Sequence, residues 1–301
     1  MIAHILTAGV AVVDIVMNLD EMPSKPEKYI ANDALIVGGG CGGNAAVAIV
    51  RLGGHCDLAA RLGDDPIADM IISGLALENV NCQLVKRFAG ARSSFSSIFI
   101  DATGERQIVN YRDPDLPQES KWLLDEAPEF DAALVDNRWT AGALALMQLA
   151  QDRGKPGVVD AEAPILDSEP AMKIASHVVF AAQGLRDYSN TDDLKAGLVI
   201  AEEKLGGFVG VTDGPNGIWW REGAEENHMP SFSVNVVDTL GAGDVWHGAF
   251  ALALGEKMPT EKAIRFSNAA AALKCSKPGG REGTPTRDET ETFLGNNSIC
   301  N

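Results

Sequence analysis

The chain has 301 residues, of which 46% are hydrophobic and 22% charged, ordinary proportions for a globular protein of one large α/β domain or two modest ones. With 42 acidic against 25 basic residues the net charge is −17, which argues against nucleic acid or an anionic membrane as partner. No run approaches the ~20 apolar residues of a membrane helix, residues 1–10 carry no basic leader, and Cys41, Cys56, Cys82, Cys275 and Cys300 form no CxxC pair, so free thiols in a reducing cytoplasm are expected.

Apolar runs and helical periodicities alternate along the chain. Residues 5–13 read as a strand, 43–52 as a buried helix of small residues, and 56–61 as a strand. Residues 65–78 read as a helix with Pro66 in its first turn, where proline is tolerated. A strand over 132–135 precedes a helix over 140–153 capped by Thr140. Strands over 157–160, 177–180 and 208–212, with helices over 193–205, 243–254 and 260–274, complete the series. Such alternation predicts a mainly parallel sheet covered on both faces. Residues 28–37 and 92–111 are extended without an intervening helix, and Ala102-Thr103-Gly104-Glu105 has the composition of a hairpin turn. These segments are either a β excursion at the sheet edge or a lid over a site at the strands' carboxyl ends. We expect one domain over 1–301, with a lid from about 15–37 and 92–111.

Two glycine-rich turns carry chemistry. The segment Asp238-Thr239-Leu240-Gly241-Ala242-Gly243-Asp244 follows an apolar run over 234–237, read as a strand, and opens a helix. The unpaired first amides of a helix attract an anion, and Gly241 and Gly243 present no Cβ to block a phosphate. An aspartate there repels phosphate and suits instead a base for an attacking hydroxyl, or it is a plain helix cap. The second turn, Gly38-Gly39-Gly40-Cys41-Gly42-Gly43-Asn44, satisfies G-x-G-x-x-G at Gly38, Gly40 and Gly43. A dinucleotide site should lie in the first βα turn with an acid ending the next strand, yet Asp57 opens its strand.

The segment 238–244 with the following Gly248-Ala249-Phe250 resembles the C-terminal signature of the PfkB (ribokinase-like) carbohydrate kinases. The resemblance implies a ribokinase-like three-layer α/β sandwich with a small β lid, binding ATP and Mg2+. It makes Asp244 the base and Gly241, Ala242 and Gly243 the anion hole. Gly39, Gly40 and Asn44 then match the family's sugar-binding turn, and Asp14 the acidic residue after the first strand. Asp14 also reads as a strand-end turn residue. Thr212, Gly214 and Gly217 resemble the nucleotide loop. Asn268 and Ala271 resemble the helix beside adenine, with Gly279 in the adjoining loop. Asp238 and the Leu240 carbonyl would hold a monovalent cation, K+. The family's Asn-x-x-Glu is missing: residues 180–185 read Phe-Ala-Ala-Gln-Gly-Leu.

The strings around Lys28, Asn110, Arg138 and Arg281 are similar to those of a subgroup, the bacterial 6-deoxy-6-sulfofructose kinases. That likeness implies an acceptor hydroxyl at C1 of a ketohexose with an anionic C6 group, held by Lys28, Asn110 and Arg138. Singly, each of the three also reads as a solvated surface residue. Homodimers pairing through the lid are implied as well. The alternatives are a fructokinase, ketohexokinase or ribokinase acting on a neutral sugar, an NAD-dependent oxidoreductase built on Gly38, Gly40 and Gly43, and a non-catalytic sugar-binding regulator.

Overall fold

The computed structural model describes residues 2–165, 167–223 and 225–297. The first half runs β1 (His4–Ala8), β2 (Val12–Asn18), β3 (Asp33–Gly39), α1 (Cys41–Arg51), β4 (His55–Gly63), α2 (Pro66–Leu77), β5 (Val85–Phe88), β6 (Phe95–Ile100), β7 (Arg106–Tyr111), α3 (Lys121–Glu126) and β8 (Ala132–Asp136). It continues with α4 (Thr140–Asp152), β9 (Gly157–Ala161), α5 (Glu169–Ile174), β10 (His177–Ala181), α6 (Ala182–Ser189), α7 (Leu194–Leu205), β11 (Phe208–Thr212), β12 (Ile218–Glu222), β13 (Glu225–Met229), α8 (Ala242–Gly255), α9 (Thr260–Cys275) and α10 (Arg287–Asn296).

Nine strands form the central sheet in the order β13-β12-β11-β10-β9-β8-β1-β4-β5, parallel from β11 to β5 and ending in the antiparallel β12–β13 hairpin. Successive strand residues point to opposite faces, so the central strands are apolar throughout. Ile5, Leu134 and Val158 enter one core with α1, α2, α8 and α9; Leu6, Val135 and Val159 enter the other with α3 to α7. The result is the three-layer sandwich expected from the sequence. Helix starts follow local chemistry. Asp65 caps α2 by accepting from the Ala68 amide at 2.9 Å, and Thr286 and Glu289 form a capping box on α10.

The lid is a separate four-stranded sheet, β3-β2-β6-β7. It differs from the expected lid in its limits. Residues 5–13 are not one strand: the chain leaves the central sheet after Ala8, and Val12–Asn18 crosses into the lid, antiparallel to β3 and parallel to β6. Lys28 does not begin a lid strand, since β3 starts at Asp33. The run 234–237 forms no strand, with Val236 and Val237 more than half exposed. Three of its four residues are valines, yet they join no strand, and the Val237 and Asp238 amides donate to the Cys275 carbonyl instead. Thr140 is the first residue of α4 and not its cap, which is Trp139.

Candidate active site

The connections diverge between β1, which leads toward β4, and β8, which leads toward β9, so a crevice opens there at the strands' carboxyl ends. A cavity of about 430 Å³ occupies it, bounded by the start of α1, the turn before α8 and the inner side of β6 and β7. Asp136, at the end of β8, organises this junction. Its Oδ2 accepts from the Val10 amide at 2.7 Å and the Gly42 amide at 3.0 Å, and its Oδ1 from the Arg138 amide at 2.9 Å. Burial pushes the Asp136 carboxyl up, and the three amide bonds oppose that.

Asp244 lies in the first turn of α8 and lines the cavity. Gly241 caps the helix at φ 79°, a left-handed conformation that suits glycine. Asn44 Nδ2 on α1 donates to Asp244 Oδ2 at 2.7 Å. In turn Arg281 Nε donates to Asn44 Oδ1 at 3.1 Å, and Arg281 Nη2 donates to the Gly39 carbonyl at 3.0 Å. A guanidinium, a carboxamide and a carboxylate thus form one buried chain. Gly248 permits it, because a Cβ there would lie 2.6 Å from the Ala45 carbonyl oxygen of α1. Burial, then the nearby charge of Glu162, raise the Asp244 carboxyl to about 7, while the Asn44 hydrogen bond pulls the other way. A Cβ on Gly243 would meet nothing within 4 Å, so that side of the turn is open. The Ala242 amide is engaged by the Thr239 carbonyl at 3.2 Å, whereas the Gly243 amide lies in the first turn, where no i−4 carbonyl exists within the helix.

Asp14, Gly40, Asn44, Asn110 and Arg138 line the same cavity as Gly241, Ala242 and Gly243. Burial raises the Asp14 carboxyl, which is hydrogen-bonded to Ser96 of the lid. Gly39 lies behind it, where a Cβ would run into the Asp14 carboxylate. Arg138 Nη2 donates to Glu162 Oε2 at 3.1 Å and to the Ala163 carbonyl at 2.7 Å. Lys28 does not line the cavity; neither do Thr212, Gly214, Gly217, Asn268, Ala271 and Gly279, the residues expected at the nucleotide. Thr212 ends β11, and Gly214, Gly217 and Gly279 have φ of 51°, 89° and 93° in their turns. The Asn268 side chain accepts from Trp246 Nε1 at 2.8 Å and donates to the Pro230 carbonyl at 3.2 Å, so it braces α8 against α9.

At Asp238, expected with the Leu240 carbonyl to hold a monovalent cation, the structure places a side chain. Lys274 Nζ lies 2.9 Å from both the Asp238 carbonyl and its Oδ2. For a divalent ion, ligand atoms of Cys41, Asp160, Glu162 and Asp244 lie within 4.8 Å of one another. Asp160 Oδ1 is buried without a hydrogen-bond partner among the described residues, with His247 Nε2 at 3.5 Å, and the neighbouring Glu162 and Asp244 charges add to burial in raising its carboxyl well above the usual range. The carboxylate oxygens suit Mg2+; the Cys41 sulfur does not. Residues 180–185 span the end of β10 and the start of α6 and supply no carboxylate.

Several lining or supporting residues escaped sequence reasoning. Asp136 and Glu162 stand at strand ends with no local motif, although an acid just past a buried strand in an α/β pattern is a usable signal. Arg281 is remote in sequence from Asn44. Arg112 follows β7, lines the cavity and is exposed. The nicotinamide reading fails on geometry: Gly38 lies in the lid strand β3 and Gly40 and Gly43 follow it, not β1, and Asp57 contacts His4 and Asn81 at the opposite end of its strand.

Comparison with known proteins identifies the family and the fold. The family model for pfkB family carbohydrate kinases matches residues 4–287. The ribokinase of Bacillus subtilis (strain 168) is 28% identical over 298 residues, covering 97% of this chain and 99% of its own. Fructokinase-1 of Oryza sativa subsp. japonica is 28% identical over 283 residues, covering 83% and 86%. Among solved structures, a candidate ribokinase of Agrobacterium tumefaciens superposes with a TM-score of 0.92 at 35% identity, covering 98% of both chains. The Arabidopsis thaliana ribokinase complexed with ribose and ATP shares the fold, with a TM-score of 0.86 at 21% identity and coverage of 98% and 99%.

Proposed function

The chain belongs to the pfkB family of carbohydrate kinases and is an ATP-dependent sugar kinase of the ribokinase and fructokinase type, and from that premise we propose that its acceptor is the C1 hydroxyl of a ketohexose with an anionic C6 group, such as 6-deoxy-6-sulfofructose. The observation that carries the anionic substrate is the pair of guanidiniums, Arg112 and Arg138, on the cavity wall of a chain with net charge −17. Arginine suits a sulfonate or phosphate because its planar fork can donate two parallel hydrogen bonds. Arg112 has no ion-pair partner among the described residues. Arg138 is held beside Glu162, and Asn110 adds a neutral donor from the lid. Arg112 takes the place first expected of Lys28.

In this reading Asp14 and Asn44 hold sugar hydroxyls, and Asp244 accepts the proton of the attacking hydroxyl. A carboxyl near pH 7 in strength is matched to that task. The Gly241–Gly243 turn and the dipole of α8 face the charge on the transferring phosphoryl group. Thr212, Gly214, Gly217, Asn268, Ala271 and Gly279 border the nucleotide. Mg2+ bound with ATP screens the phosphate charge, and Asp160 and Glu162 are the residues that would hold it in place of the missing Asn-x-x-Glu.

The lid leaves Leu35, Ile36, Ile108 and Val109 exposed on its two edge strands, an arrangement that favours a homodimer covering the lid with a second copy. The free thiols of Cys41, Cys56, Cys82 and Cys275 suit a reducing cytoplasm. Among the described residues no helix is long and apolar enough to cross a membrane.

The test compares kcat/KM for 6-deoxy-6-sulfofructose and for fructose in wild type, Arg138→Ala and Arg112→Ala. Loss of a charge-assisted pair should lower the anionic-to-neutral ratio about 10- to 150-fold. Wild type preferring fructose or ribose outright would leave a neutral-sugar kinase, the reading that the named relatives favour. An equal fall for both sugars in both variants would place the arginines in structure or nucleotide handling.

A further inference from the structure

Lys274 carries a charge that the catalytic scheme does not use. It sits in the last turn of α9 with its side chain fully buried, 0% exposed. An ammonium so placed must be paired and hydrogen-bonded to be tolerated. Its two acceptors both belong to Asp238, the residue that opens the turn leading to Asp244: the main-chain carbonyl and Oδ2, each at 2.9 Å. The same carboxylate accepts from the Leu240 amide at 2.9 Å on Oδ1 and from the Gly280 amide at 2.9 Å on Oδ2. Arg106 of the lid donates to Oδ1 at 2.9 Å. One carboxylate therefore lies between two cations, and the foot of the turn keeps a net positive charge.

A main-chain carbonyl and a carboxylate oxygen, converging on a point beside a loop that faces an anion, are the hard oxygen donors that an alkali cation takes. Here a tethered ammonium holds both. The tether also joins α9 to the turn. When the turn moves, the cation moves with it, so no ion need be captured from solution. The Asp238 carboxyl accords with this: burial would raise it, but the Leu240 and Gly280 amides and the Lys274 ammonium hold it down at about 2.

We propose that Lys274 is a built-in cation beneath the anion-binding turn, a positioning residue that makes phosphoryl transfer by this chain independent of potassium and other alkali ions. The proposal rests on the kinase reading above. It predicts that deleting the ammonium creates a requirement for a diffusible monovalent cation of similar size.

The experiment measures turnover and melting temperature in chloride salts of K+, NH4+, Na+ and choline at constant ionic strength, for wild type, Lys274→Ala and Lys274→Gln. Wild type should vary by no more than about twofold across the four salts. Lys274→Ala should lose about 10- to 100-fold in kcat in choline, with KM for the sugar little changed, and recover most of it in K+ or NH4+. Its melting temperature should rise with K+ or NH4+ relative to choline, whereas that of wild type should not. A merely structural lysine would not produce rescue selective for one cation size. Lys274→Gln, which keeps bulk and a donor, covers the case in which the alanine variant does not fold. The proposal is overturned if wild type is activated tenfold or more by K+ over choline, or if both variants fold and no cation restores either readout. If wild type transfers no phosphoryl group to any sugar in any salt, the kinase reading fails instead, and the melting temperatures alone then judge the cation site.

Discussion

Asp244 offers a quantitative test through the charge of its neighbour Glu162. Its carboxyl is raised to about 7 by burial first and by Glu162 next, and a base must be ionised to act. At pH 6 only about a tenth of the free enzyme would carry the ionised base, and at pH 7 about half, so kcat/KM for the sugar should fall about tenfold for each pH unit below 6. The sign follows from the direction of the shift: the native state favours the protonated carboxyl, and activity is gained as pH rises through the folded value. Glu162→Gln removes one like charge and leaves burial and the Asn44 hydrogen bond in place. The acidic limb should then move to lower pH, so that at pH 6 the variant keeps a several-fold larger share of its plateau kcat/KM than wild type does. The assay is coupled ADP release at subsaturating sugar and Mg-ATP, so that the free enzyme is the species titrated, between pH 5 and 9 with the coupling enzymes in excess at each pH. Asp244→Asn supplies the control, losing about 10²–10⁴ in kcat at the plateau while still binding ATP. A limb that stays where it was in Glu162→Gln, or an Asp244→Asn variant with more than about a tenth of wild-type turnover, would refute the assignment of the base.

Gly243→Val should fold, because a Cβ there meets nothing within 4 Å, yet its branches would fill the space the phosphoryl group needs; kcat should drop at least about tenfold with the melting temperature nearly unchanged. Gly248→Val should do the reverse: the Cβ would press on the Ala45 carbonyl at 2.6 Å and separate α8 from α1. We expect about 1–3 kcal/mol lost in urea denaturation, and a folded variant with unchanged stability would show that the helices yield freely. Ile36→Lys, 61% exposed in wild type, should shift light-scattering mass from dimer to monomer; a wild type already monomeric at micromolar concentration would end the lid-dimer proposal.

The sequence determined whatever depends on neighbours along the chain. The alternation of apolar runs and helical periods was enough for a three-layer sandwich, because strands buried on both faces must be apolar throughout. The turn from Asp238 to Asp244 was legible because its glycines, its helix and its acid lie within seven consecutive residues. The break at Gly9, Val10 and Ala11 was not, since residues 5–13 are apolar across two strands of different sheets, and only the lid's pairing with β6 draws the second away. Nor was the absence of a strand at 234–237, where three of the four residues are valines of high β propensity. The electrostatics of the site belong wholly to tertiary structure. Arg281 meets Asn44 from 237 residues away, Asn44 meets Asp244 from 200, and Lys274 reaches Asp238 across 36. Arg281 and Lys274 are charged side chains that sequence reading assigns to solvent by default, and no local pattern joins Asn44 to Asp244. Only the fold removes these groups from water, and removal from water makes their few partners decisive for charge and position.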